Sequence, residues 1–262
     1  MQNLILIKLG GSTITDKSKR KGANLKIINQ LAREIESARE KTRDLIIIGH
    51  GQGSYAHVPA KKYQTKKGNI HKNSDIGLAK VRLECLELNS IVIDRLITAG
   101  IPAVTFEPHS FLLSINGSLS KIFVAPIVNA LGVNLVPVVY GDAIQDEKIG
   151  WTIFSGEQIL NLLALNLKNQ FKIKTVIEVG NTNGVLDKVG KIITQINAKN
   201  FKSVEKYISG SSATDVTGGM EHKVKEALVL AQKGIHTQLI SAKTGNLSNA
   251  ILGRNASGTW IR

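Results

Sequence analysis

Apolar residues along the chain come in two alternating rhythms. Short, nearly unbroken runs at Leu4–Leu9, Leu45–Ile48, Asn134–Val139 and Thr175–Val179 lack in–out alternation, which predicts strands buried on both faces of a parallel sheet. Shorter strands are expected at Pro102–Thr105, His236–Ile240 and Gly258–Ile261. Between them the period lengthens. Leu25–Arg39 sets Leu25, Ile28, Leu31, Ile35 and Ala38 on one helical face. Ser74–Ala99 has apolar residues at 78, 81, 85, 88, 92, 93 and 96, one long helix with Ser74 as N-cap and Gly100 as stop. Glu157–Leu167, Met220–Gln232 and Asn246–Leu252 read as further helices. Asn116-Gly117 between apolar flanks signals a hairpin, and Ala143–Phe154 a second one. The alternation predicts an α/β fold with a mainly parallel central sheet covered on both faces.

Composition narrows the class. With 42% hydrophobic and 21% charged residues in 262, the chain is ordinary globular protein. No repeat or flexible linker interrupts it, so one fold over 1–262 is expected, with a weak boundary near 168–174. No apolar run reaches the roughly 18 residues of a membrane span. The apolar start at Leu4 is too short for a signal sequence, so a cytoplasmic protein without membrane contact is expected. The lone Cys85 rules out an internal disulfide and a cysteine-based metal site, and reads as core filler.

The net charge of +14 points to anionic partners. Aromatic residues are only 5% and do not interleave with the basic runs, and there is no recognition-helix or zinc-finger spacing. Nucleic acid is therefore not the expected partner; a phosphorylated small molecule is.

Four segments carry candidate chemistry. Lys8-Leu-Gly-Gly-Ser12 ends a strand in a lysine, two glycines (Gly10, Gly11) and hydroxyls, with Lys17 downstream. The glycines let backbone N–H groups approach an anion and the lysine offsets its charge. It is not a P-loop, which needs Gly-Lys-Ser/Thr after four spaced residues. Gly49-His50-Gly51-Gln52-Gly53-Ser54-Tyr-Ala-His57 leaves a buried strand in a glycine-rich loop suited to holding phosphate. Its spacing is not the dinucleotide fingerprint. His50 reads as a hydrogen-bonded loop residue, while His57 stays open between that and a ligand-binding role. Tyr140-Gly-Asp142 and Ser155-Gly156-Glu157 put carboxylates where open α/β sheets bind ligands; Asp142 and Glu157 would orient lysines or a metal, or Ser155 would simply cap a helix. Asp215-Val-Thr217-Gly218-Gly219-Met-Glu-His-Lys223 leads glycines and a hydroxyl into a helix with a lysine in its first turn. The set suits phosphoryl transfer, which asks for positioning and charge more than covalent chemistry.

Lys8-x-Gly-Gly-Ser, His50-Gly-x-Gly-Ser, Tyr140-Gly-Asp and Asp215-x-Thr-Gly-Gly-Met together resemble the amino-acid kinase superfamily. Within it, Gly-Ser-Tyr-Ala-His57, Gly141-Asp with Asp146-Glu147, Ser155-Gly, Asp215-Val-Thr-Gly-Gly-Met220 and the closing Ser257-Gly-Thr-Trp-Ile-Arg262 resemble the isopentenyl phosphate kinases. The resemblance covers the whole chain in order. It implies a three-layer α/β/α sandwich, a homodimer, and phosphorylation of isopentenyl phosphate by ATP with Mg²⁺. It implies an acceptor-binding lobe over about residues 1–170 and a nucleotide-binding lobe over about 171–262. Lys8, Lys17 and Lys223 would surround the transferring phosphoryl group and His57 would bind the acceptor phosphate. Gly10, Gly11, Ser12, Gly51, Gln52, Gly53, Ser54, Gly156 and Glu157 would complete the acceptor site. Lys8, Gly10, Asn181, Gly184, Leu186, Thr217, Gly218, Gly219 and Lys223 would hold the nucleotide, and no metal ligand is assigned. The long helix Ser74–Ala99 and the hairpin near Ile149–Ile153 would wall the prenyl tail.

Gln52 stands where the family commonly has Gly, Glu157 where it has Asp, Ala56 where it has Gly, and Asn181-Thr-Asn183 replaces a segment with two carboxylates. A kinase for another small phosphate or phosphonate, such as a fosfomycin kinase-like enzyme, is the alternative acceptor class. A non-catalytic polyanion-binding protein is the alternative of another kind.

Overall fold

The computed structural model describes residues 1–16, 18–208 and 219–262. Its strands are β1 (Asn3–Leu9), β2 (Thr15–Asp16), β3 (Gly22–Ala23), β4 (Leu45–His50), β5 (Ala103–Thr105), β6 (Leu112–Ile115), β7 (Ser118–Ile122), β8 (Val136–Tyr140), β9 (Asp142–Asp146), β10 (Gly150–Phe154), β11 (Lys172–Gly180), β12 (Gln195–Ile196), β13 (Thr237–Ser241) and β14 (Gly258–Ile261). Its helices are α1 (Gly11–Ile14), α2 (Leu25–Arg39), α3 (His57–Lys62), α4 (Ser74–Thr98), α5 (Pro108–Phe111), α6 (Ala125–Gly132), α7 (Gly156–Leu167), α8 (Phe201–Ile208), α9 (Gly219–Ala231) and α10 (Asn246–Ile251).

The central sheet runs β12-β14-β13-β11-β1-β4-β8-β5, parallel at every pairing except β13–β14. Side-chain parity along β1 sorts the core. Ile5, Ile7 and Leu9 face one way, packing with Ile46 and Ile48 against Ile28, Leu31 and Ile35 of α2 and Leu88 and Val92 of α4. Leu4 and Leu6 face the other way, with Ile47, onto Ile159, Leu160 and Leu163 of α7. Burying such a side chain is worth about 1.5–3 kcal/mol, so these faces fix the register. Lys8 has the parity of Leu4 and Leu6, and that parity carries it to the α7 side. A second sheet, β10-β9-β6-β7, lies beside this layer.

Most predicted elements form close to their expected limits, and the expected α/β/α sandwich is present. Asn116 and Gly117 both take left-handed conformations (φ 48° and 77°), the two-residue turn that Asn-Gly announces. Two details differ. Ser74 does not cap α4; it is the first helical residue, and its hydroxyl accepts from the N–H groups of Ile70 and His71 (3.2 and 3.0 Å). Leu25, expected on the buried face of α2, is 46% exposed. Helices α3, α6 and α8 and the β2–β3 hairpin are additions. Ile208 ends α8, and residues 209–218, with the start of the predicted Asp215–Lys223 segment, lie outside the described residues.

Candidate active site

The site gathers where the central strands end. Gly10 N–H donates to Val179 O (2.8 Å) as the chain turns out of β1, and Gly51 N–H donates to Leu9 O (3.0 Å) as it turns out of β4. Two glycine loops thus leave adjacent parallel strands side by side.

Lys8, 4% exposed, donates its Nζ to Glu157 Oε1 at the start of α7. Lys223 Nζ, from the first turn and a half of α9, stands 3.9 Å from the same oxygen. Burial alone pushes Glu157 up, but Lys8 and Lys223 outweigh it and hold the carboxyl at about 2. Glu157 is therefore a fixed anion between two cations. Ser155 caps α7 in a box with Gln158, and Glu157 in the first turn of the same helix meets the lysines.

Two cavities meet at this cluster. The first is lined by Lys8, Gly11, Gly51, Gln52, Gly53 and His57 on its polar side, and by Ala56, Ala60, Val81, Cys85, Ile153 and Phe154 on its apolar side. Gly156 and Glu157 also line it. The second is lined by Gly10, Glu178, Asn181, Gly184, Leu186, Tyr207, Gly219 and Met220. Ser12 and Lys223 line both. The first holds about 110 Å³, room for a small molecule only; the second, about 380 Å³, lies within the roughly 300–1,000 Å³ of larger ligand pockets.

Other sequence candidates have further partners, and of those that follow Asp142, Cys85 and Gln52 line the first cavity. His50 is wholly buried at the end of β4, Nε2 3.2 Å from Asn89 Oδ1, stacked on Tyr140; burial holds its pKa down and keeps it neutral. Ser54 faces the β2–β3 hairpin, accepting from Gly22 N–H at 3.2 Å, and lies outside both cavities. Asp142 is buried against His109, Nδ1 to Oδ2 2.8 Å. Cys85 is buried yet borders the first cavity, with Sγ 3.6 Å from Gly141 O. Gln52 donates from Nε2 to Gly141 O (2.8 Å), tying the glycine loop to the Tyr140-Gly-Asp turn. Of the expected prenyl wall, Val81 and Cys85 line the cavity; Leu88 belongs to the core and Ile76 is exposed. Lys17, Thr217 and Gly218 lie outside the described residues.

Glu178 is a site residue that sequence reasoning missed. It pairs in register with Lys8 across β11 and β1, is 6% exposed, and borders the second cavity with Oε2 lacking a hydrogen-bond partner. Burial and the Glu157 carboxylate push it up to about 7, against the pull of Lys8 and Lys223. The signal was available: a lone acid in the run Val176-Ile-Glu-Val179. Among the described residues no three His, Cys, Asp or Glu side chains converge to hold a metal ion, and no helix is long and apolar enough to cross a membrane.

A mainly parallel sheet with glycine loops at its strand ends and a Lys–Glu–Lys cluster between two cavities defines a phosphotransferase arrangement. Residues 3–241 match the amino acid kinase family, and the chain belongs to it. Within that family it is 33% identical over 269 residues to isopentenyl phosphate kinase of Methanothermobacter thermautotrophicus, covering 98% of each chain. It is 32% identical over 265 residues to isopentenyl phosphate kinase of Methanocaldococcus jannaschii, again covering 98% of each. An X-ray structure of isopentenyl phosphate kinase superposes with a TM-score of 0.82 at 29% identity, covering 98% of this chain and 100% of that one.

Proposed function

We propose that the chain transfers the γ-phosphoryl group of ATP to the phosphate of isopentenyl phosphate, giving isopentenyl diphosphate and ADP. The observation that carries this is the junction of the two cavities at Ser12 and Lys223, with Lys8 and Glu157 alongside. The smaller cavity would take the acceptor and the larger the nucleotide, so the reacting phosphates would meet over the lysines.

An acceptor phosphate oxygen attacks the γ-phosphorus, the bond from that phosphorus to the β–γ bridging oxygen breaks, and ADP leaves. The attacking group is already ionised (second pKa about 6), so no general base is needed. Lys8 and Lys223 offset the charge that accumulates as the phosphates converge, and Glu157 holds them in place. His57 would bind the acceptor phosphate, with Gly11, Gly51, Gly53 and Gly156 supplying close backbone approach. Lys17 would add a third cation, and Thr217 and Gly218 would complete the nucleotide site with Asn181, Gly184, Leu186 and Gly219. Mg²⁺ would accompany ATP and neutralise phosphate charge.

The apolar wall of Ala56, Ala60, Val81, Cys85, Ile153 and Phe154 favours a hydrocarbon tail over a small polar phosphonate. We further infer a cytoplasmic homodimer acting in isoprenoid precursor synthesis, an N-terminal acceptor lobe and a C-terminal nucleotide lobe, all on the family resemblance. The test is ADP release with isopentenyl phosphate, dimethylallyl phosphate, fosfomycin and N-acetylglutamate as acceptors. We expect turnover with the prenyl phosphates; no turnover with either, or a preference for fosfomycin, overturns the reading.

A further inference from the structure

Glu84 of α4 is a buried carboxylate that serves no catalytic step, yet the end of the glycine loop and the β2–β3 hairpin beside it both meet on it. Its Oε2 accepts the backbone N–H of Ala56 at 2.9 Å. Its Oε1 accepts from Arg20 Nη2 at 2.5 Å and stands 3.9 Å from Lys21 Nζ, which also meets Glu87 at 2.6 Å. The Glu84 side chain is only 6% exposed, whereas those of Arg20 and Lys21 are 59% and 36% exposed. The anion is thus the buried base of the clamp and the cations close over it from solvent.

What is clamped matters. Ala56 holds a left-handed conformation (φ 57°, ψ −27°), which L residues other than Asn and Asp rarely adopt. It immediately precedes His57, the first residue of α3 and part of the acceptor cavity's lining. The conformation of Ala56 therefore sets where α3 starts and where His57 stands. Arg20 and Lys21 sit between β2 and β3, and this hairpin already meshes with the glycine loop. Tyr55 Oη donates to Lys21 O (2.9 Å), and Gly22 N–H donates to Ser54 Oγ (3.2 Å). On α4, Val81 and Cys85 flank Glu84 and line the same cavity, so one helix supplies both the wall and the anchor.

We propose that Glu84 is a positioning residue for the acceptor: one carboxylate joins the β2–β3 hairpin to the start of α3 and thereby fixes His57. The proposal rests on the assignment of His57 to the acceptor phosphate made above.

The test is steady-state kinetics on Glu84→Ala, Glu84→Gln, Arg20→Gln, His57→Ala, Glu84→Ala/His57→Ala and Glu84→Ala/Ala56→Gly. Glu84→Ala should raise the KM for isopentenyl phosphate about tenfold and that for ATP less than twofold. Glu84→Gln keeps an oxygen for the Ala56 N–H and Arg20→Gln removes one cation; each should give a few-fold rise, and these two carry the test if Glu84→Ala does not fold. Glycine at 56 takes the left-handed conformation without help, so it should recover much of the loss. In the His57→Ala background, Glu84→Ala should add less than twofold. Hydrogen exchange of the peptide holding Ala56 should accelerate in Glu84→Ala while β4 stays protected. Equal rises in both KM values, multiplicative effects with His57→Ala, or faster exchange throughout overturn the proposal. If His57→Ala alone leaves the acceptor KM unchanged, the assignment of His57 fails, and with it the route by which Glu84 acts.

Discussion

Gly11 and Gly53 pack backbone against backbone: a Cβ on Gly11 would lie 2.4 Å from Gly53 N, and one on Gly53 would lie 2.3 Å from Gly11 O and 1.9 Å from Thr15 Oγ1. The loops that leave β1 and β4 are thus held together through their glycines. In the sequence these glycines read as freedom for the backbone to approach a phosphate. The structure adds that they first approach each other.

Gly53→Ala should therefore damage the fold locally as well as the site. Gly53 has φ 52°, and a left-handed non-glycine residue plus the clash costs on the order of 2 kcal/mol. We expect Tm to fall by roughly 5 °C and the acceptor's KM to rise at least as much as it does in His57→Ala. Calorimetry and kinetics check this; an unchanged Tm rules out the tight loop–loop packing.

Glu157→Gln separates charge from shape. The amide keeps the side chain's size but removes the charge that Lys8 donates to, leaving Glu178 as the nearby acid; breaking a buried pair typically costs 3–5 kcal/mol, so about 3 kcal/mol is expected here. Activity should fall by about a hundredfold, since electrostatic groups of this kind contribute about 10²–10³ in rate. Lys8→Met/Glu157→Gln should regain much of the stability and none of the activity. Thermal unfolding of the single and double variants decides the matter; equal stabilities show that the buried pair does not matter to the fold.

Glu178 and Glu157 give opposite pH signs. Glu157, held at about 2, stabilises the fold above its unfolded value near 4.5 and loses that contribution as pH falls toward 2. Glu178 is raised to about 7, so the folded state binds its proton more tightly than the unfolded chain. Its contribution is present below about 4.5 and is lost as pH rises through 7. Glu178→Gln should therefore gain on the wild type by about 2 kcal/mol between pH 5 and 7.5. Urea unfolding across that range measures it; parallel curves mean that Glu178 titrates normally.

How much of this was legible in the sequence depends on the range of the interaction concerned. Period and run length gave α2, α4 and the central strands, because burial of Ile28, Leu31 or Ile47 writes itself into local pattern. Asn116-Gly117 gave its hairpin through backbone conformation alone. By contrast α3 has Pro59 in its first turn and no apolar stripe, and the N–H of Ala56 just before it is held by Glu84, 28 residues further along the chain. Gln52 stands in the sequence only as a departure from the family's Gly, because its partner Gly141 O is 89 residues distant. Glu178 was visible as an acid in an apolar strand, but only the register of β11 on β1 shows that it faces the lysines' side.

Asp146 shows how a residue remote from the phosphates still bears on the acceptor. The sequence offered it only as part of a family motif. Its carboxylate accepts from the backbone N–H groups of Asn116, Gly117, Lys148 and Ile149 (2.8–3.1 Å) and from Ser114 Oγ (2.9 Å). These backbone and hydroxyl donors outweigh its desolvation and hold its pKa well below the ordinary carboxylate range. It therefore joins the β6–β7 and β9–β10 turns, and β10 delivers Ile153 and Phe154 to the apolar wall. Asp146→Ala leaves four N–H groups without their acceptor, a loss of about 3 kcal/mol if water reaches some of them. Because the second sheet and not the central one is loosened, we expect the KM for isopentenyl phosphate to rise several-fold while that for ATP stays within twofold. The low pKa means that the wild type should lose this contribution only as pH falls below about 4. Kinetics with both substrates, alongside thermal unfolding at pH 7 and pH 3, provide the check. A rise in the ATP KM of the same size would show that the damage extends into the central sheet.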